Sequence, residues 1–302
     1  MRIGSRGSQL ALWQAHHIGD RLRALGHEVS IEVIRTTGDA MQQVAFAQVG
    51  SKGMFTKEIE EALREGRIDL AVHSLKDLPT ELDSGFVLAA IPERADPRDA
   101  LLSARYESFA ALPQGARVGT SSLRRRAQLR GHRGDLEFEE FRGNVDTRIR
   151  KMVEGQVDAI ILASAGLERL GLTEYRRECF APLILCPAAG QGALAIETRA
   201  DDAKTLEAAG ALDDAATRYA VTAERAALAA LGGGCQVPIG VYCAPVAEDA
   251  YSIAGVVASP EGRQSVRVEF EHELGSADEL GERLAEALLR QGAKSILEAL
   301  AL

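Results

Sequence analysis

The sequence has few cysteines and no long apolar run. Four cysteines in 302 residues are too few for a disulfide framework, and no two of them form a CxxC pair. No window of about eighteen residues is apolar throughout, so we expect no membrane-spanning helix. The first residues, MRIGSRGSQLALW, lack a basic stretch that leads into an apolar segment, so we expect no signal peptide. Together these absences predict a cytoplasmic protein with reduced thiols.

A basic surplus is absent as well. The chain has 35 Lys and Arg residues against 44 Asp and Glu residues, a net charge of −9, whereas nucleic-acid-binding domains are normally basic. Aromatic residues make up only 5% of the chain and form no basic–aromatic stacking platform. The six histidines are scattered, and no set of His, Cys and Asp has the spacing of metal ligands. We therefore expect no nucleic acid, membrane or metal partner.

What is present is the composition of an ordinary globular protein, 46% hydrophobic and 26% charged, long enough for two or three domains. Strand and helix patterns alternate from the first residue, and the alternation restarts after the segment IPERADPRDALL. Two such blocks joined by proline-bearing segments predict two α/β lobes with a hinge and a cleft. A smaller α+β domain is expected to follow. The predicted boundaries are 1–94 with 190–211, then 95–189, then 212–302.

Arginines are concentrated in SSLRRRAQLRGHRGD (121–135) and FRGNVDTRIRK (141–151). Such a run is often only a solvated helix face. If these arginines converge on one site, however, each close pair repels by about 4 kcal/mol at an effective dielectric of ~20, and an anion is needed to offset this. The segment GTSS just before the first run adds hydroxyl and backbone N–H donors at a helix N-terminus. The pattern therefore predicts an anionic ligand with several charges.

Two further positions can carry chemistry. Asp77, in VHSLKDLP (72–79), ends a buried strand; it either caps a turn or moves protons and stabilises a transient cation. Cys235, in LGGGCQVPIG (231–240), is either an inert buried thiol or a nucleophile that carries a group covalently. His73 beside Asp77 is more often a hydrogen-bonded bystander, and AAGQGALAIE (188–197) indicates a crossover between lobes.

Eight ordered motifs carry a resemblance to a known family. They are SRGSQLALWQA, VGSKGMFTKE, AVHSLKDLP, VGTSSLRRRAQL, RGNVDTR, DAIILASAGLERL, AAGQGALAIE and LGGGCQVPIG. Together they resemble the porphobilinogen deaminases of tetrapyrrole synthesis over residues 1–243. The resemblance implies two lobes like those of type II periplasmic binding proteins, and a dipyrromethane cofactor joined to Cys235 by a thioether. It also implies a transferase that adds four porphobilinogens head to tail, with loss of ammonia, and releases hydroxymethylbilane.

The resemblance assigns a role to each site residue. Asp77 matches the catalytic carboxylate. The positions that match holders of acetate and propionate groups are Arg6, Ser8, Lys76, Thr120, Ser122, Arg124, Arg125, Arg142, Arg148 and Arg169. Lys52 and Phe55 match a loop over the cleft, and Lys52 lies in a stretch (37–53) without clear periodicity. Gln191 lies on the crossover. The expected assembly is a monomer.

The main alternative is a two-lobed cytosolic binding protein for a polycarboxylate, without catalysis. It explains the arginines and the hinge, but it gives no role to Asp77 or Cys235.

Overall fold

The computed structural model describes residues 1–36, 56–233 and 237–300. The chain divides into two units, Met1–Ala95 with Ala193–Arg218, and Asp96–Gly192 with Tyr219–Leu302. The predicted division into three domains stays a prediction.

Strands and helices are numbered in chain order within the described residues. The strands are β1 (Arg2–Ser5), β2 (Ser30–Val33), β3 (Leu70–Ser74), β4 (Phe86–Ala90), β5 (Asp99–Leu102), β6 (Arg117–Gly119), β7 (Glu137–Glu139), β8 (Ala159–Ala163), β9 (Arg176–Cys179), β10 (Leu194–Arg199), β11 (Ile239–Ala247), β12 (Ala250–Ala258) and β13 (Ser265–Glu273). The helices are α1 (Gln9–Ala24), α2 (Lys57–Arg64), α3 (Leu123–His132), α4 (Val145–Val153), α5 (Ser164–Leu170), α6 (Ala203–Gly210), α7 (Ala215–Ala230), α8 (Ala277–Leu288) and α9 (Lys294–Leu300).

Two five-stranded sheets share one topology. The first has the order β2-β1-β3-β10-β4, and the second has the order β7-β6-β8-β5-β9. In each sheet four strands run in one direction, and the remaining strand, β10 or β5, is antiparallel to both of its neighbours. Together with the helices these sheets confirm the predicted α/β class with two sheet-based lobes.

Apolar side chains at helical spacing explain how the first sheet is covered. On α1, Ala15, Ile18 and Leu22 are buried and pack with Ile3 of β1 and Leu70 of β3. Leu25, predicted to continue this stripe, follows the last residue of the helix and is half exposed, because the chain turns away there.

The end of the chain forms a third sheet with its own core. Strands β11, β12 and β13 make an antiparallel meander. Buried residues of α7 and α8, among them Ala223, Leu280 and Leu284, pack against it. Ser276 caps α8 by accepting a hydrogen bond from the N–H of Glu279 at 3.3 Å, as its SADE segment predicts. The predicted α+β character of this region is confirmed.

The structure differs from the sequence-based expectation in two elements. Residues 194–199 form the internal strand β10, where the sequence pattern indicates only a crossover. The apolar segment VDAIILASAG (157–166) indicates a single strand, but β8 ends at Ala163 and α5 begins at Ser164. In both segments small residues give no distinct period, so length and packing decide the outcome.

Candidate functional site

The carboxyl edge of the first sheet presents polar residues from two neighbouring strands. Arg6 and Ser8 follow β1, and Asp77 follows β3 after a short 3-10 turn, Leu75–Asp77. Because β1 and β3 are parallel, with Ile3 opposite Leu70, these loops emerge at one edge. The loops that carry Arg6, Ser8 and Asp77 therefore share one edge of the first sheet.

A pocket opens at this edge, with an empty volume of about 510 Å³. Arg6, Ser8 and Asp77 line it, with Gln14, His73 and Ser74 among the other polar groups. The backbone around Asp77 is fixed, since Leu78 is extended (φ −81°, ψ 144°) before Pro79 and its N–H donates to the carbonyl of Leu75 at 3.1 Å. Asp77 itself is exposed to solvent. The pocket therefore combines one cation, hydroxyl donors and one accessible carboxylate.

A buried acid–imidazole pair lies at the same pocket. Nε2 of His73 is 2.9 Å from Oε2 of Glu197, and these residues are 8% and 0% exposed. Burial raises the pKa of nearby Glu60, and the charge of Glu197 raises it further, while Thr56 and His73 act in the opposite direction.

The sequence pattern indicates a bystander at His73 and does not single out Glu197. The sheet register pairs His73 with Ala195, so Glu197 lies two residues farther along β10 and points to the same face of the sheet. Only this register brings the acid to the imidazole.

The carboxyl edge of the second sheet presents Thr120 and Ser122, which follow β6. Ser122 caps α3 by accepting from the N–H of Arg125 at 3.4 Å. Ser121 donates to the carbonyl of Phe141 at 3.0 Å and accepts from its N–H at 3.1 Å, which joins this loop to the one before Arg142. A Cβ at Gly119 would lie 2.7 Å from the Phe141 ring, so only glycine allows this approach.

Arg124 and Arg125 share one buried acid, Asp99 of β5. Nη1 of Arg124 is 2.7 Å from Oδ2 of Asp99, and Nη2 of Arg125 is 2.7 Å from Oδ1. All three residues are buried, at 5%, 7% and 0% exposure. Burial alone raises the pKa of Asp99, but the charges of Arg124 and Arg125 outweigh it and hold that pKa well below its usual range. Two permanent positive charges and one negative charge leave this buried cluster with a surplus of one positive charge.

Gln191 belongs to the same cluster. Its Nε2 donates to Oδ1 of Asp99 at 2.9 Å and to the carbonyl of Pro97 at 2.7 Å. Asp99 is not among the residues predicted from the sequence, although an aspartate that opens the apolar strand DALL, in a chain with a run of arginines, is a signal of a buried ion pair.

Three predicted carboxylate-binding arginines lie elsewhere in the second unit. Arg142 follows β7 and its Nε donates to Glu140 Oε1 at 2.9 Å. Arg148 is half-buried on α4. Arg169, near the end of α5, donates to the carbonyl of Gly192 at 2.6 Å, and burial lowers its pKa to about 10. A guanidinium whose charge is disfavoured by burial gains stability when a carboxylate approaches.

Of the remaining predicted residues, Lys76 lies within the described ranges and three others lie outside them. Lys76 is half-buried beside Asp77. Cys235, Lys52 and Phe55 lie outside the described residues. Among the described cysteines, Cys186 and Cys243 are buried and Cys179 is partly buried. Burial raises the pKa of the Cys186 thiol to about 12, so this thiol is inert.

A second residue that sequence reasoning missed is Glu224, which is fully buried on α7. Its carboxylate accepts from the N–H of Gly190 at 2.7 Å and from that of Cys243 at 2.8 Å. Helix α7 ends at Ala230, and Gly232 follows with φ +65°, a left-handed conformation that favours glycine. The helix that leads to the Cys235 segment is thus anchored by a buried acid and stopped by a glycine.

Within the described ranges, no group of three or more His, Cys, Asp and Glu residues could hold a metal ion. No helix among them is long and apolar enough to cross a membrane.

The fold and the two polar sheet edges define a two-lobed α/β protein with donor groups for an anionic, carboxylate-bearing ligand. Comparison with known proteins makes this specific. Residues 1–207 match the family model described as "Porphobilinogen deaminase, dipyromethane cofactor binding domain", and residues 218–290 match that of the porphobilinogen deaminase C-terminal domain. The chain belongs to the porphobilinogen deaminase family, a family of transferases in porphyrin and heme biosynthesis. The predicted family, enzyme class and dipyrromethane cofactor are thereby confirmed, and the binding-protein alternative is not favoured.

Similar proteins cover nearly the whole chain. A porphobilinogen deaminase of Nitratidesulfovibrio vulgaris is 50% identical over 299 residues, 98% of this chain and 95% of that protein. One of Syntrophotalea carbinolica is 50% identical over 302 residues, 99% of this chain and 96% of that protein. One of Brevibacillus brevis is 49% identical over 301 residues, 98% of this chain and 96% of that protein.

Solved structures give more distant matches. A pheromone precursor lipoprotein of Enterococcus faecalis matches 69% of this chain and 89% of its own, with 13% identity and a TM-score of 0.45. The methionine-binding protein MetQ matches 70% of this chain and 89% of its own, with 12% identity and a TM-score of 0.45.

The described residues fit a dipyrromethane with carboxylate side chains. The donors at the second sheet edge are hydroxyls, a helix N-terminus and guanidinium groups, which suit carboxylates. The buried cluster around Asp99 keeps a positive surplus, and Arg169 is charged against the effect of burial. These hydroxyl, backbone N–H and guanidinium donors are therefore suited to bind a ligand with several negative charges.

Proposed function

We propose that this chain condenses four porphobilinogens head to tail, with Asp77 as the catalytic carboxylate and Cys235 as the attachment point of the cofactor. The observation that carries the proposal is the pocket that places the accessible carboxylate of Asp77 beside Arg6 and Ser8. Porphobilinogen has an aminomethyl group and two carboxylates, so a site for it needs an acid for the cationic part and donors for the anionic part. This pocket offers both.

Asp77 acts on the substrate in two ways. Its negative charge stabilises the cation that forms when the aminomethyl carbon loses ammonia. After the new carbon–carbon bond forms, the carboxylate accepts the proton that leaves the pyrrole α-carbon. Arg6 and Ser8 hold the carboxylates of the incoming unit, with Lys76 beside Asp77 in the same role. Lys52 and Phe55 cover the substrate, and Gln191 holds the crossover in place through Asp99.

The second sheet edge holds the carboxylates of the primer. The cofactor supplies a pyrrole with an unsubstituted α-carbon, to which the units are added. Arg124 and Arg125 give the site its positive field, and their pairing with Asp99 fixes the N-terminal turn of α3 from which Ser122 acts. The residues that bind the acetate and propionate groups are Thr120, Ser122, Arg142, Arg148 and Arg169.

We infer further that the chain works as a cytoplasmic monomer in three domains, 1–94 with 190–211, 95–189 and 212–302, without nucleic acid or membrane partners. The net charge of −9 supports the absence of a nucleic acid.

The mass of the purified protein and its turnover test the two central assignments separately. We expect wild-type protein to exceed its sequence mass by one dipyrromethane. Cys235→Ser loses this excess, whereas the control Cys179→Ser keeps it, because Cys179 is a partly buried thiol of the second sheet.

Asp77→Asn keeps the excess mass and loses turnover by about 100- to 10,000-fold. Its control is Glu81→Gln, an exposed acid four residues away. An unmodified yet active wild-type protein contradicts the Cys235 assignment, and near-normal turnover of Asp77→Asn contradicts the other.

A further inference from the structure

The buried pair of His73 and Glu197 has no part in the proposed chemistry, although it borders the Asp77 pocket. His73 lies on β3, four residues before Asp77, and it lines the same pocket. Glu197 lies on the neighbouring antiparallel strand β10, and its Oε2 is 2.9 Å from Nε2 of His73. An imidazole thus connects a pocket with a catalytic carboxylate to an acid that is shielded from solvent.

The second oxygen of Glu197 makes this pair unusual. Oε1 is buried and has no hydrogen-bond partner among the described residues. A buried carboxylate oxygen without a partner costs free energy, which is recovered when the carboxyl group takes up a proton or its neighbour is protonated. Of this pair, His73 lines the pocket, and Glu197 contacts the imidazole through Oε2.

A third titratable group lies nearby. Glu60 on α2 interacts electrostatically with both Glu197 and His73, and burial raises its pKa. Two carboxyl groups and one imidazole thus lie within electrostatic reach of one another in this region.

We propose that His73 is a proton-relay residue that receives the proton collected by Asp77 and shares it with Glu197. This rests on the proposed function.

In each elongation the C–N bond of the aminomethyl group breaks, with its electron pair leaving on ammonia. The free α-carbon of the last pyrrole in the growing chain then supplies the electron pair for the new C–C bond. Asp77 takes the proton from this carbon, and the electron pair of the C–H bond returns to the ring. Transfer of that proton to the imidazole regenerates the Asp77 carboxylate for the next of four units. The imidazolium is stabilised by Glu197 until the proton passes to solvent or to the released ammonia.

The charged groups around His73 favour this transfer. Glu197 faces it from β10 and Glu60 from α2. Arg6 and Asp77 share the pocket with it, and Asp83 acts on Glu60 from farther away. Among these described groups, carboxylates outnumber the one guanidinium, so they can stabilise a transient imidazolium during the transfer.

The test is a pH profile of His73→Gln, whose amide retains a hydrogen bond to Glu197 but does not titrate. We expect kcat to fall about 100-fold, KM to stay within about twofold, and the dependence of kcat on pH between about 5 and 8 to flatten. The dipyrromethane mass should be unchanged. In His73→Ala, added imidazole should restore part of kcat, because the small base can occupy the vacated space. The matched control is His16→Gln, an exposed histidine on α1.

Glu197→Gln provides a second measurement that does not depend on the His73 variants folding. It should lower kcat by about tenfold, since the imidazolium loses its counter-ion, with cofactor mass retained. A kcat within about twofold of wild type in both His73→Gln and Glu197→Gln, or a loss confined to KM, overturns the relay. Failure of imidazole rescue together with an unchanged pH profile overturns it as well. If instead Asp77→Asn retains turnover, the proposed function fails, and that result is distinct from any obtained with His73.

Discussion

The two five-stranded sheets have the same strand order, yet their antiparallel strands carry different buried acids. Glu197 on β10 pairs with the imidazole of His73. Asp99 on β5 pairs with the guanidinium groups of Arg124 and Arg125. The partner of the first acid is an imidazole, which can donate or accept a proton, whereas the partners of the second are guanidinium groups that stay charged.

This difference separates the two kinds of work that a porphobilinogen deaminase needs. A growing chain of carboxylate-bearing rings requires a constant positive field, and the Asp99 cluster supplies one whose charge does not vary near neutral pH. The chemical step requires groups that exchange protons, and His73 of the His73–Glu197 pair lines the same pocket as Asp77, the carboxylate that we propose accepts the proton. One topology thus supports a fixed electrostatic site in one sheet and an acid–base site in the other.

The largest expected effect comes from removing the fixed counter-ion. Asp99→Asn removes the carboxylate that both buried guanidinium groups contact, and its amide N–H₂ faces other donors. We expect the free energy of unfolding to fall by about 3–5 kcal/mol, because a broken buried ion pair leaves an uncompensated charge. Urea unfolding of the full chain, followed by circular dichroism, measures the change.

Glu168→Gln is the control for Asp99→Asn. Glu168 forms an exposed ion pair with Arg176 at 2.8 Å in the same unit, and loss of such a pair leaves the urea midpoint almost unchanged. If both variants unfold at the wild-type midpoint, the Asp99 cluster does not stabilise this lobe and the comparison between the sheets fails.

A smaller effect on the free energy of unfolding is expected at acidic pH. The pKa of Asp99 in the folded protein is held well below its usual range, so below about pH 4 the unfolded chain takes up a proton on this residue before the folded one does. The ion pair therefore contributes fully above about pH 4, and its contribution declines as the pH falls further. Between about pH 4 and pH 2, the free energy of unfolding of Asp99→Asn should fall less steeply with decreasing pH than that of wild type. The two slopes should differ by at most about 1.4 kcal/mol per pH unit. Urea midpoints at a series of pH values measure this slope, and parallel profiles contradict the assignment.

The sequence was sufficient for the parts of the fold that depend on local patterns. The stripe of α1, the SADE cap of α8 and the position of the polar loops at strand ends all follow from periodicity and capping. The antiparallel strands β5 and β10 were not predictable in this way. Both are short, at four and six residues, and each is paired with strands distant in sequence, so only tertiary contacts define them.

The buried acids were missed for the same reason. Asp99 lies in the sequence 25 and 26 residues from its two arginines (124 − 99 and 125 − 99), and Glu197 lies 124 residues from His73. No spacing rule connects residues across such distances, because the sheet topology alone brings them together. The sequence prediction gives Arg124 and Arg125 to ligand carboxylates; the structure places a protein carboxylate against both, and their contact with a ligand stays a prediction.

The smallest effect on stability is expected at Glu197. Glu197→Gln replaces a buried carboxylate by an amide that can donate to or accept from Nε2 of His73. The imidazole therefore keeps its hydrogen-bond partner. We expect the free energy of unfolding to change by less than about 1 kcal/mol, because the hydrogen bond to Nε2 of His73 is retained. The control is His16→Gln, which is exposed on α1. If Glu197→Gln destabilised the protein as strongly as Asp99→Asn, the acid of the first sheet would be a structural counter-ion like that of the second. The division between a fixed site and a titrating one would then be lost, because both sheets would use their antiparallel strand in the same way.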